Sequence, residues 1–184
     1  MAKKFSRIES VHRDFIQRQR IFFTGSAAAD GRVNVSPKGL DTLRILSDNC
    51  IAYLDLTGSG NETAAHLRLN DRLTVMFCAL DGPPSILRLY GKGRVLARGV
   101  PEYADLIVRH FSGKELPGAR QIVVLEIDLL QTSCGFGVPT FQYVGDRPVL
   151  TQWAESKGIE GLAAYRREKN AKSIDGFPTG LIEP

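Results

Sequence analysis

Residues 51–69 read IAYLDLTGSGNETAAHLRL. An apolar run of strand length, Ile51–Leu56, passes through two glycines and three hydroxyl side chains into a short helical segment, and the reading of this joint decides the fold. Two physical readings fit it. Ser59-x-x-Glu62 matches a capping box, in which the serine hydroxyl accepts from a first-turn N–H and the glutamate reaches back. Exposed N–H groups at a helix start, together with the helix dipole, also form an anion site. Gly58 and Gly60 then allow close backbone approach to a phosphate, while Thr57, Ser59, Asn61 and Thr63 add donors. Glu62 opposes the second reading unless its carboxylate points away, and neither GxGxxG nor a Walker lysine is present.

The flanks read as hairpins. On the N-terminal side, LRILSDNCIAYLDL (43–56) pairs two strands across Ser47-Asp48-Asn49, and RIFFTGSAAADGRVNVSPKG (20–39) pairs two more across Asp30-Gly31. On the other side, Asn70-Asp71 ends the helix. RLTVMFCAL (72–80) is apolar enough on both faces to be a central strand, and Asp81-Gly82-Pro83-Pro84 turns the chain into SILRLYGKGRVLARG (85–99). Gly91 and Gly93 within that strand signal a bulge or a close approach. PEYADLIVRHF (101–111) predicts a helix opened by proline, and RQIVVLEIDLLQTS (120–133) a last long strand. Phe5, Ile8, Val11 and Phe15 predict an amphipathic helix over 5–18. Residues 149–170 predict a helix interrupted at Gly158 and Gly161, before an irregular tail. Hairpin-joined strands with helices at the periphery predict a mainly β chain, its simplest closure a six-stranded antiparallel barrel. The organisation expected is a barrel domain over 1–145 and a C-terminal helix and tail over 146–184.

The chain of 184 residues is 43% hydrophobic and 24% charged, with a formal charge of +4, ordinary values for one globular domain. Its basic residues are scattered; the densest group, Arg166, Arg167, Lys169 and Lys172, lacks interleaved aromatics, which argues against nucleic acid. Three separated cysteines without a CxxC suit a reducing, cytoplasmic setting. The charged N-terminus is unlike a signal peptide, and no apolar run has the length of a membrane span. His12, His66 and His110 show no metal spacing, and His66 is expected on a helix surface or interface.

Strand alternation sets Val33 and Val35 on one face and Asn34 and Ser36 on the other, with Pro37 ending the ladder and Lys38 at its end. Leu87 and Leu89 alternate likewise with Arg88, Tyr90, Lys92 and Arg94. These stripes fit an ordinary solvated face; equally, Lys38 and Arg88 supply the cations that the glycine turn lacks.

The order of RVNVSPKG, YLDLTGSGNETAAHL, ILRLYGKGRV and TSCGFGVP resembles the pyridoxamine 5′-phosphate oxidase-like flavoproteins, the FMN-binding split β-barrels, over nearly the whole chain. The resemblance implies a homodimer with two FMN molecules at the subunit interface, acting as an oxidoreductase on a small molecule. It places the FMN phosphate at Lys38 and at Ser59, Gly60, Asn61 and Thr63. Asn34, Val35 and Ser36, with Leu54 and Asp55, edge the isoalloxazine ring, and Arg88 contacts flavin, often across the interface. Two departures bear on the activity. Glu62 and Thr63 stand where the oxidases proper carry an Arg-Lys pair, and Trp153 and Arg109-His110 do not reproduce their C-terminal substrate grip. The expectation is therefore a relative with another small-molecule substrate, and NADH or NADPH is a candidate electron donor. A flavin carrier or sensor without turnover, or a barrel preferring deazaflavin or heme, is the alternative. Residues 131–143, QTSCGFGVPTFQY, read either as a loop closing over the ring, with Cys134 near it, or as a glycine-rich strand exit.

Overall fold

The computed structural model describes residues 2–181, and among these the chain forms eight strands and four helices. The order is β1 (Lys3–Phe5), α1 (Ser10–Arg18), β2 (Phe22–Ser26), β3 (Asn34–Lys38), β4 (Leu43–Ser47), β5 (Cys50–Leu56), α2 (Glu62–Leu69), β6 (Arg72–Cys78), β7 (Ile86–Ala97), α3 (Pro101–His110), β8 (Ala119–Ser133) and α4 (Val149–Lys169). Every pairing between named strands is antiparallel, along the path β3-β2-β6-β7-β8-β5-β4. β8 organises the sheet: one edge pairs with β7 throughout, and the other pairs first with β5 and then, through Phe5↔Leu130, with β1.

The six-stranded barrel is corrected to an eight-stranded antiparallel sheet whose end strands, β3 and β4, are not paired with each other among the described residues. The sheet nonetheless curls. Phe22 of β2 meets Tyr53 of β5 edge-on, ring centroids 5.5 Å apart, although three strands separate them along the path. Strand twist accumulates over a long sheet, and the concave side encloses a core of Ile51, Tyr53, Val75, Phe77, Leu87, Leu89 and Leu125. A second core on the other face packs Tyr103, Leu106 and Ile107 of α3 against Leu54, Ile122 and Val124.

The first helix begins later than its periodicity suggests. Phe5 lies in β1, and helix starts only at Ser10. The far end of β8 has a free edge once β5 has parted from it, and pairing there satisfies backbone groups that a helix start leaves open. β6 alternates between buried and half-exposed positions rather than burying both faces. In β7 the register shifts between Tyr90 and Gly91, and a Cβ on Gly91 would lie 1.9 Å from the Glu126 carbonyl oxygen; this is the close approach that the strand glycine signals. α4 breaks at Gly158, where φ is +64°. No helix among the described residues is long and apolar enough to cross a membrane.

Candidate functional site

The joint between β5 and α2 opens onto a cleft of about 760 Å³. Its walls include Asn34, Ser36 and Lys38 of β3, Asp55 of β5, residues 58–63, Arg120 of β8, and Lys169, Lys172 and Ile174 from the C-terminal segment. Lys38 and the glycine turn therefore face one space. They meet there because the sheet curls: β3 and β5 stand far apart in the pairing order, yet Lys38 Nζ donates to Asp55 Oδ1 at 2.7 Å.

Asp55 is the hub. It is 2% exposed, and its Oδ2 accepts from Arg120 Nε and Gln121 Nε2, each at 2.8 Å. Burial pushes its pKa up, but the charges of Arg120 and Lys38 and their hydrogen bonds outweigh that and hold the carboxyl well below the usual carboxylate range. The anion in turn fixes both cations. Arg120 extends Nη1 to the Gly60 carbonyl at 2.9 Å and to Asn170 Oδ1 at 2.8 Å. Gln121 Nε2 also donates to Asn61 Oδ1 at 2.7 Å.

The turn is built from behind. Thr57 donates its N–H and its hydroxyl to the Gly118 carbonyl, at 2.8 and 2.7 Å. Arg166 of α4, itself buried, donates from Nε to Thr57 Oγ1 at 2.8 Å. Asn170 Nδ2 donates to the Gly58 carbonyl at 3.0 Å. The expected Ser59–Glu62 capping box is absent: the N-cap is Asn61, without a side-chain cap bond. Glu62 instead accepts the Ile174 N–H with both carboxylate oxygens, at 3.2 and 3.0 Å. These bonds tie the glutamate to the tail, although Glu62 still borders the cleft and its Oε1 lies 3.1 Å from where a Cβ on Gly60 would sit. Arg32 and Asp175 form an ion pair next to it.

Beside the turn, Asn34 Nδ2 donates to Thr63 Oγ1 at 3.2 Å, and Ser36 Oγ donates to Asn34 Oδ1 at 3.0 Å. The face of β3 assigned to Asn34 and Ser36 thus lines the cleft, while Val35 is exposed. The structure does not bring three of the sequence-selected residues into this cleft. Val35 faces away, and the Leu54 side chain is buried in the second core. Arg88 donates to Ser133 Oγ at 3.3 Å on another part of the sheet. His66 is not a surface residue: it is 1% exposed, with Nδ1 3.1 Å from Ser26 Oγ. α2 packs on β2 and β7, so its inner face takes the ring. Cys134 is exposed, its thiol pKa lowered by the Phe136 backbone N–H, and it does not border the cleft.

Arg120, Gln121, Arg166 and Asn170 were not selected from the sequence. A weak signal existed, since Arg120-Gln121 runs straight into the apolar stretch 122–125, and a charge at such a position is buried only with a partner. Arg166 and Lys169 instead read as surface charge, because nothing in a helix-turn pattern tells which face meets another element.

The family model described as pyridoxamine 5′-phosphate oxidase matches residues 8–134. The chain belongs to this family. The pyridoxamine 5′-phosphate oxidase family protein ustO of Aspergillus flavus is 43% identical over 182 residues, covering 90% of this chain and 73% of that relative. Among solved structures, HupZ of Group A Streptococcus superposes with a TM-score of 0.52 at 15% identity, covering 66% of this chain and 91% of that one. A protein of Lactobacillus delbrueckii named for a suggested pyridoxamine 5′-phosphate oxidase activity gives 0.53 at 15% identity, covering 68% and 94%. At such identities these structures speak for the shared fold. The family match ends before α4, so the C-terminal wall of the cleft lies outside it.

Proposed function

We propose that this chain binds FMN, with the phosphate in the cleft between Lys38 and residues 58–63, and acts as an oxidoreductase on a small molecule. One observation carries the reading: Asn61, 2% exposed and bordering the cleft, has a buried Nδ2 without a hydrogen-bond partner among the described residues. An orphaned buried donor costs roughly 1–3 kcal/mol, and an anionic oxygen in the cleft relieves it.

The rest of the donor set fits the same group. The N–H groups of Gly58, Ser59 and Gly60 have no acceptor among the described residues, and the first N–H groups of α2 are free as at any helix start. Nothing in the chain requires glycine at 58, where φ is not positive and a Cβ would meet no atom within 4 Å; the open space belongs to the cleft. Lys38 retains two ammonium hydrogens beyond its bond to Asp55, and Lys169 and Lys172 add positive potential. A phosphate monoester dianion suits such a site.

When bound, FMN supplies the redox chemistry. The protein's own part is to hold the phosphate, to orient the ring along β3, and to position Lys38 and Arg120 through their bonds to Asp55. The exposed Val35 on edge strand β3 supports a second protomer packed there, and in that homodimer Arg88 serves the neighbouring flavin. Release of FMN from the purified, denatured protein, with dimer mass by light scattering, tests the reading. A colourless protein that gains no thermal stability from added FMN refutes it.

A further inference from the structure

The C-terminal wall lies outside the family match, yet it holds the phosphate turn by its carbonyls. Asn170 is fully buried and is not among the residues bordering the cleft. Its Nδ2 takes the Gly58 carbonyl at 3.0 Å, and its Oδ1 accepts from Arg120 Nη1, which also takes the Gly60 carbonyl. Asn170 is itself anchored, since its own carbonyl accepts from Thr179 Oγ1 at 2.7 Å.

These bonds have a consequence fixed by covalent geometry. In a trans peptide the C=O and the following N–H point in opposite directions, and no cis peptide occurs among the described residues. A Gly58 carbonyl turned inward to Asn170 therefore turns the Ser59 N–H the opposite way. A Gly60 carbonyl held by Arg120 does the same for the Asn61 N–H. Ser59 and Asn61 both border the cleft. Two alternate peptide planes are thus set so that their N–H groups point away from the anchored carbonyls, an arrangement that makes a nest for an anion.

Resting on the FMN reading above, we propose that Asn170 is the positioning residue of the phosphate site: it holds the Gly58 carbonyl directly and the Gly60 carbonyl through Arg120, and so aims the Ser59 and Asn61 N–H groups. Asn170 does not touch the ligand. Its loss leaves the turn's donors present but lets the Gly58–Ser59 and Gly60–Asn61 peptides rotate, so the deficit falls on the phosphate alone.

The test uses the ligand's own truncation. Affinities for FMN and for riboflavin, which lacks the phosphate, are measured by flavin fluorescence on the full chain and on Asn170→Ala. The variant is expected to lose FMN affinity by roughly tenfold to a hundredfold, as two charge-assisted bonds are misaimed, while riboflavin affinity stays within about twofold. A general loosening of the fold lowers both affinities together and overturns the proposal. So does an unchanged ratio of FMN to riboflavin affinity. Asn170→Ser, which keeps a polar group too short to span both partners, is expected to show the same phosphate-selective loss and carries the test if the alanine variant does not fold. A natural chain that binds no FMN refutes the functional reading and this inference with it; FMN binding with an unaltered ratio in both variants refutes the inference alone.

Discussion

Asp55→Asn probes the hub of the site. The side chain keeps its shape but loses the charge, and its amide hydrogens then face donors from Lys38 or from Arg120 and Gln121. Arg120, 4% exposed, is left as a buried cation without its counter-charge. Breaking a buried pair from one side costs about 3–5 kcal/mol. Against a total stability of roughly 5–15 kcal/mol, that is a large share, and at about 2–4 °C per kcal/mol for a chain of this size the melting temperature should fall by roughly 6–20 °C. Urea denaturation followed by circular dichroism is the assay, with an unchanged m-value showing that the transition itself is the same. Lys38→Ala provides the internal comparison. The Lys38 side chain is 23% exposed, and its removal leaves Asp55 with Arg120 and Gln121, so the loss should be only about 1 kcal/mol. Asp55→Asn and Arg120→Met together should cost less than the sum of the two single changes, because the second removes the charge stranded by the first. An Asp55→Asn loss within about 1 kcal/mol, or strict additivity in the double variant, refutes the hub.

Other expectations follow from the same geometry. Lys38→Ala should weaken FMN binding by about 1.5–3 kcal/mol with folding retained; unchanged affinity in a fluorescence titration places the phosphate elsewhere. Because the folded pKa of Asp55 lies below its unfolded value, the unfolded state binds more protons in acid. The stability it contributes is fully present above the ordinary carboxylate range near about 3.9 and is lost as pH falls from there through the folded pKa. Urea midpoints measured across that window should decline, and less steeply in Asp55→Asn. Gly91→Ala should destabilise by more than about 1–3 kcal/mol, since its Cβ meets the Glu126 backbone oxygen; a neutral urea midpoint means that the bulge relaxes.

The strand–turn–helix joint, the hairpins and the polar face of β3 were legible because each is written in a few neighbouring residues. Alternation put Asn34 and Ser36 opposite Val35, and glycines with hydroxyls marked the turn at 57–63, where the structure opens the cleft. Local pattern also misled. Ser59 and Glu62 spell a capping box, but the Ile174 N–H competes for Glu62 from a segment 112 residues away. Phe5 keeps helical spacing, but the free end of β8 claims it as a strand.

What the sequence alone determined is every strand but β1, the glycine turn and the family, since periodicity, turn chemistry and motif order are properties of contiguous residues. Only the tertiary structure decided that Asp55 is a buried hub, that Arg120 is its partner, and that Arg166 and Asn170 support the turn from behind. Those roles arise where a curled sheet and a late helix converge. The burial that makes a charge seek a partner exists only once distant segments have excluded water between them.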